Sequence, residues 1–141
     1  MFLLDTNACI KILNGSSAQL AARLREHDPS QIGISAITRA ELLYGARRSA
    51  RVTENLRLLK RFLAPLASVP FDDGCAEHYG MIRVDLAALG RLIGPNDLLI
   101  AATARAHDAT LVTHGTREFC RVVGLKVEDS VYETARKSAE Q

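Results

Sequence analysis

Met1-Phe2-Leu3-Leu4-Asp5-Thr6-Asn7 opens the chain with a short apolar run stopped by three polar residues. It reads as a buried strand feeding a turn. Ala8 to Leu13 follows as a short helix closed by Asn14-Gly15, and Gln19 to His27 as a second, with Leu20 and Leu24 on one face. Asp28-Pro29 breaks it. The pattern then repeats: Ile32-Gly33-Ile34-Ser35 is a second strand, and from Ile37 the period becomes helical.

Ile37, Ala40, Leu43 and Tyr44 are expected to share a helix face that Gly45 ends or bends. Val52 to Leu63 is another helix, with Val52, Leu56, Leu59 and Leu63 as its apolar stripe, and Pro65 stops it. Ala67-Ser68-Val69 is a third strand. Asp72 to Leu89 is a long helix ended by Gly90. Gly94-Pro95 opens a helix that is apolar nearly all round (Leu98, Leu99, Ile100, Ala101, Ala102, Ala104), so it belongs in the interior. Thr110 to Thr113 and Leu125-Lys126-Val127 complete five strands. Short apolar strands joined by helices imply an α/β fold, a parallel sheet covered on both faces. We take residues 1–129 as one domain and 130–141 as a polar tail, either a frayed helix or disordered.

Composition narrows the function classes. At 141 residues the chain supports one domain with a real core. Eighteen basic and 16 acidic residues leave a net charge of +2, which neither demands nor excludes nucleic acid. Arg47, Arg48, Arg51, Arg57, Lys60 and Arg61 cluster, as a solvated helix face or as a surface for RNA backbone. Cys9, Cys75 and Cys120 are widely spaced with no CxxC pair, and the histidines lack HxxxH spacing. That spacing argues against a disulfide framework or a zinc site, and the reducing cytoplasm is the natural setting. No segment is long and apolar enough for a membrane span, and Asp5 interrupts the opening run too early for a signal peptide.

In open parallel sheets, ligands bind beyond the carboxyl ends of the strands. Asp5 falls there after the first strand, Ser35, Thr38 and Glu41 after the second, and Thr113, His114, Gly115 and Thr116 after the fourth. Asp97 lies in the first turn of the buried helix. Each has a plain structural role open to it. Asp5 suits a helix N-cap, Thr38-x-x-Glu41 matches a capping box, and Asp97 complements a helix dipole. Together, three converging carboxylates repel one another unless a cation neutralises them. An all-oxygen donor set selects a hard ion such as Mg²⁺ or Mn²⁺, and such an ion suits phosphodiester hydrolysis.

These blocks resemble the VapC-type PIN-domain toxins of bacterial toxin–antitoxin pairs. Leu3-Leu4-Asp5-Thr6-Asn7 resembles the family's opening block. Ser35-Ala36-Ile37-Thr38-Arg39-Ala40-Glu41-Leu42-Leu43-Tyr44-Gly45 resembles its second and Ile93-Gly94-Pro95-Asn96-Asp97-Leu98-Leu99-Ile100-Ala101-Ala102 its third. Leu111-Val112-Thr113, followed by Arg117-Glu118-Phe119, resembles its fourth. The resemblance implies a three-layer α/β/α PIN-like fold with a five-stranded parallel sheet. It implies a Mg²⁺- or Mn²⁺-dependent endoribonuclease whose metal and catalytic acids are Asp5, Glu41 and Asp97. RNA is then the substrate, and the products carry 5′-phosphate and 3′-hydroxyl ends. Thr6, Asn7, Thr38, Thr113 and Thr116 would orient carboxylates or phosphate, although turn and cap bonding explains Thr6 and Asn7 equally well. A VapB-type antitoxin that wraps the toxin and blocks the site, and a toxin homodimer, are the implied partners.

One departure stands out. Many PIN domains carry a fourth acid two residues after the Leu-Val-Thr, where this chain has Gly115. Either three acids suffice, or Thr116 or Glu118 helps through water, or activity is lower than typical, or the chain is an inactive binding module. A phosphoryl-receiver reading fails on placement. Asp72-Asp73 does not follow the first strand, and Lys126 lies within the fifth.

Overall fold

The computed structural model describes residues 1–129. The expectation for the tail at 130–141 lies outside the described residues. In chain order the elements are β1 (Phe2–Leu4), α1 (Thr6–Leu13), α2 (Ala18–Arg25), a 3₁₀ turn (Pro29–Gln31), β2 (Ile32–Ser35), α3 (Ala36–Arg47), α4 (Val52–Leu63), β3 (Ala67–Val69), α5 (Asp73–Ala88), α6 (Pro95–Ala106), β4 (Thr110–Thr113), α7 (Thr116–Phe119) and β5 (Lys126–Asp129). The five strands form one parallel sheet in the order β3-β2-β1-β4-β5.

Alternation along each strand divides the core in two. Leu3 and Leu111 face the layer containing α5 and α6, where Ile82, Leu86, Ile100 and Ala101 are buried. Leu4 and Val112, one residue on, face the opposite layer, with Leu20, Leu42, Leu59 and Leu63 from α2, α3 and α4. The result is the three-layer α/β/α architecture. At Gly33 a Cβ would stand 2.9 Å from the Ala67 carbonyl oxygen, so β2 and β3 pair this closely only with glycine there. Central α6 is buried as its composition requires, with Leu98, Ile100, Ala101, Ala102 and Ala104 all inside.

Helix α3 departs from expectation. Gly45 does not end it, and the helix runs on to Arg47. A single helical glycine costs only about 1 kcal/mol, which the packing of Leu42 and Ala46 offsets. The buried stripe is Thr38, Leu42 and Ala46, whereas Ala40 is exposed and Tyr44 is 68% exposed. Ile37 and Leu43 are partly buried against different cores. The helix lies across an edge between layers rather than flat on one. Helix α1 starts at Thr6 rather than Ala8, because Asp5 caps it. The last strand begins at Lys126, not Leu125. The four-residue α7 was not legible in the sequence.

The strand order reverses between β1 and β4. From β1 the chain steps one way to β2 and β3, then returns past β1 to place β4 and β5 on its other side. Such a switch point opens a crevice at the carboxyl ends of its two strands.

Candidate active site

Asp5 and Thr113 stand at the two sides of that switch point. The Asp5 N–H donates to the Val112 carbonyl at 3.1 Å, continuing the sheet by one rung. Its side chain does two jobs. Oδ1 accepts the Ala8 N–H at 2.8 Å as the N-cap of α1, and Oδ2 accepts the Thr113 hydroxyl. The cap reading therefore holds on one oxygen, and Thr113 takes the other. Asp5 is 5% exposed. Burial pushes its carboxyl up, the bonds from Thr113 and Ala8 and the charge of Lys11 pull back, and Glu41 adds a further push upward.

Glu41 projects from α3, the helix after β2. The capping-box reading does not apply. Ser35 is the N-cap, accepting the Thr38 N–H at 3.1 Å, and Glu41 lies well inside the helix. Its Oε1 accepts the Thr6 hydroxyl at 2.9 Å. Thr6 Oγ1 is also 3.2 Å from Thr38 Oγ1, which is 3.3 Å from Ser35 Oγ. Three hydroxyls thus run in a chain that ends on the carboxylate, and Thr38, fully buried, is its middle link. Thr6 bonds Glu41 directly, and Thr38 reaches that carboxylate only through Thr6. Asn7 is exposed, and among the described residues no hydrogen bond ties its side chain to an acid; the same holds for Thr116, the first residue of α7.

Asp97 occupies the first turn of α6, after the Gly94-Pro95 entry. Its carboxyl is pushed up to about 6, first by burial and then by the negative charges of Glu118, Asp5 and Glu41. One carboxyl feels three others, so the acids share one crevice. The fourth, Glu118, comes from α7 and is exposed. Gly115 is the residue before that helix, and its N–H donates to Thr113 Oγ1 at 2.8 Å. The chain therefore has no acid at the usual fourth position yet delivers one from the next turn. The signal in the sequence was the Arg117-Glu118-Phe119 block, in which Phe119, 2% exposed, anchors α7 to the core.

The acids keep apart, as like charges do. Among the described residues, no three of these carboxylates bring one oxygen each within 4.8 Å of one another. The donor set is all oxygen, and burial together with the negative charge of its neighbours pushes the Asp97 carboxyl up to about 6. Both features fit a hard divalent cation. The basic residues at 47, 48, 51, 57, 60 and 61 are all exposed. Arg48 lies 5.4 Å from the centroid of the Tyr44 ring, and Arg51 pairs with Glu54 at 3.4 Å.

Carboxylates at the switch point of a 3-2-1-4-5 parallel sheet mark the ligand-binding end of an open α/β domain, and comparison with known proteins narrows the class. Residues 2–125 match the PIN domain, and the chain belongs to the PIN-domain family. It is 39% identical over 128 residues to the tRNA(fMet)-specific endonuclease VapC of Shigella flexneri, covering 91% of this chain and 96% of the relative. It is 35% identical over 130 residues to ribonuclease VapC2 of Haemophilus influenzae, covering 92% and 98%. Among solved structures, DNA-bound VapBC of Salmonella typhimurium matches with a TM-score of 0.87 and 36% identity, over 92% of this chain and 97% of that one. VapBC2 of Rickettsia felis, bound to a promoter DNA fragment, matches at 0.86 and 37%, over 91% and 97%.

Proposed function

We propose that the protein is a metal-dependent endoribonuclease and the toxin of a toxin–antitoxin pair, with Asp5, Glu41 and Asp97 as the acids that hold Mg²⁺ or Mn²⁺. The observation that carries this reading is the placing of Asp5 at the sheet's switch point, with Asp97 pushed up to about 6 by burial first and then by the charges of Glu118, Asp5 and Glu41. Its relatives named VapC are ribonucleases and a tRNA endonuclease, which supports RNA as the substrate class.

When bound, the cation supplies an activated water and neutralises charge on the phosphoryl group. The chain's own residues do the rest. Asp5 is fixed from both sides by Ala8 and Thr113, so its position is set before any ligand arrives. Glu41 accepts the proton of the attacking water in this reading, and its bond from Thr6 limits where the carboxylate can sit. Asp97 must be charged to join them, which its neighbours oppose until a cation enters. Glu118, at the rim, adds negative charge that Gly115 does not.

Solved relatives include a toxin–antitoxin complex of Klebsiella pneumoniae and VapBC-5 of Mycobacterium tuberculosis, from the VapBC family of toxin–antitoxin systems, which supports a VapB-type antitoxin as partner. A cavity of about 570 Å³ runs beside the site, lined by Ile10, Leu13, Leu42, Leu58 and Phe62 with Glu41 at its edge. We place the antitoxin segment there, its apolar side in the groove and a basic side chain on Glu41. A toxin homodimer belongs to the same reading, with the outward Met81 and Val84 of α5 as apolar surface for it. Three free cysteines suit a reducing cytoplasm, and among the described residues no helix is long and apolar enough to cross a membrane.

A binding module that never cuts is the second reading, favoured by Gly115. Cleavage of a total-RNA pool by antitoxin-free protein separates the two, run with Mg²⁺, with Mn²⁺, with chelator, and with Asp97→Asn. Discrete fragments that need the cation and vanish in the variant are expected. Cleavage by Asp97→Asn at the parent rate overturns the metal assignment, and no cleavage by the folded parent leaves the binding module.

A further inference from the structure

Asp72, Cys75 and His107 come together away from the acidic crevice. Asp72 caps α5, Cys75 is in its first turn, and His107 closes α6. One ligand atom from each lies within 4.8 Å of the other two. His107 and Asp97 are at opposite ends of α6, ten positions and so about 15 Å apart along the axis.

The arrangement is built rather than incidental. The two Asp72 oxygens are divided: Oδ1 accepts the Cys75 N–H at 3.0 Å, while Oδ2 faces His107 Nε2 at 3.7 Å, beyond hydrogen-bond length. Asp72 thus keeps one oxygen for the cap and turns the other toward the imidazole. Cys75 is fully buried and forms the floor, its Sγ 3.7 Å from the Pro70 carbonyl oxygen. The Asp72 and His107 side chains are 49% and 32% exposed, which leaves the mouth open to an entering ion.

We propose that Asp72, Cys75 and His107 form a second cation site that takes a thiolate-preferring divalent ion, Zn²⁺ above all. A sulfur, an imidazole nitrogen and a carboxylate oxygen are a borderline-soft set, unlike the all-oxygen crevice. Ligands of a tetrahedral ion at bonds of about 2.0–2.3 Å sit closer to one another than 4.8 Å, so contraction by roughly 1 Å brings the three onto the ion and leaves its fourth position to water. The Cys75 thiol gives up its proton to solvent as the sulfur–metal bond forms, with no change of oxidation state. The spacing along the chain argued against zinc because the ligands come from two helices, and only the antiparallel docking of α5 and α6 assembles them. A bound ion would clip the start of one to the end of the other.

Co²⁺ serves as the probe, because a thiolate ligand gives it a near-ultraviolet charge-transfer band that oxygen ligands do not. Titration of the full chain is expected to raise that band to one equivalent, with Zn²⁺ displacing the Co²⁺. The band should survive in Asp97→Asn and in Cys120→Ser and be absent in Cys75→Ser. His107→Gln, a surface change that leaves the fold and RNA cleavage intact, should weaken binding at least about tenfold. No thiolate band in the parent, a band that persists in Cys75→Ser, or unchanged affinity in His107→Gln each overturns the site.

Discussion

The Thr113 hydroxyl hydrogen-bonds the Asp5 carboxylate across 108 positions of chain, joining the carboxyl ends of β4 and β1 where the sheet reverses direction. The same oxygen accepts the Gly115 N–H at 2.8 Å, so one threonine positions both the most buried acid and the loop that launches α7. Thr113→Val keeps the shape and removes both bonds. We expect a loss of about 1–2 kcal/mol in a urea midpoint series, from the unpaired groups it leaves. Mn²⁺ binding by calorimetry should weaken about tenfold, and Thr113→Ser should restore both. Parent-like Mn²⁺ affinity in Thr113→Val would show that Asp5 does not need the hydroxyl.

Two replacements at Asp5 separate its two jobs. Asparagine still caps a helix but carries no charge, whereas alanine offers neither cap nor charge. Both variants are expected to lose RNA cleavage. Only Asp5→Ala should also lose about 1 kcal/mol of stability relative to Asp5→Asn, read from thermal melts at matched pH. Equal melts would mean that the bond to Ala8 contributes nothing net.

Asp97 sets a pH dependence whose sign can be worked out. Its carboxyl titrates at about 6 in the folded chain against 3.8 without the fold. The folded state therefore binds this proton more tightly, and folding disfavours the charged form. In metal-free protein, this group's contribution to stability rises as pH falls through 6 and levels off near 3.8. Because the carboxyl is only half-buried, the gain is about 1 kcal/mol. Asp97→Asn should remove this dependence and be the more stable protein at pH 7. For the parent, cation affinity should fall as pH drops below 6. A parent and variant with parallel stability profiles would contradict the assignment.

Gly115 has room for a side chain. A Cβ there would meet Thr113 Oγ1 at 3.5 Å and the Phe119 ring at 3.9 Å, ordinary contacts, and its φ of −82° suits any residue. Gly115→Asp is thus expected to fold. It should bind Mn²⁺ about tenfold more tightly, while the metal-free form is less stable for the added repulsion. Weaker Mn²⁺ binding would mean that the new carboxylate competes with Glu118 rather than joining it.

Much of this was legible in the sequence because strands and helices announced themselves by period. The apolar run at Leu3-Leu4, the stripe of α4 and the largely apolar α6 each fall where burial requires. The face of α3 was misread because the helix straddles two layers: Tyr44 keeps helical spacing with Ile37 yet points to solvent beside Arg48. Strand order is written in no local pattern, so the meeting of Thr113 with Asp5 had to come from the sheet. The acids Asp5, Glu41 and Asp97 could be named one by one. The hydroxyl chain from Ser35 through Thr38 to Thr6, and the charge of Glu118 on Asp97, exist only once three segments meet.

The order 3-2-1-4-5 has a consequence for the life of the chain on the ribosome. Synthesis delivers β1 first and its second neighbour β4 only after β2 and β3. Thr113 and Glu118 are among the last described residues to emerge, and without them Asp5 lacks its partner and Asp97 one of its acidic neighbours. A chain stalled, truncated or clipped upstream of β4 carries the early acids but no finished crevice. With those acids read as the active site, the crevice is assembled only after β4 and α7 have been made, a consequence of the order in which the sheet is built.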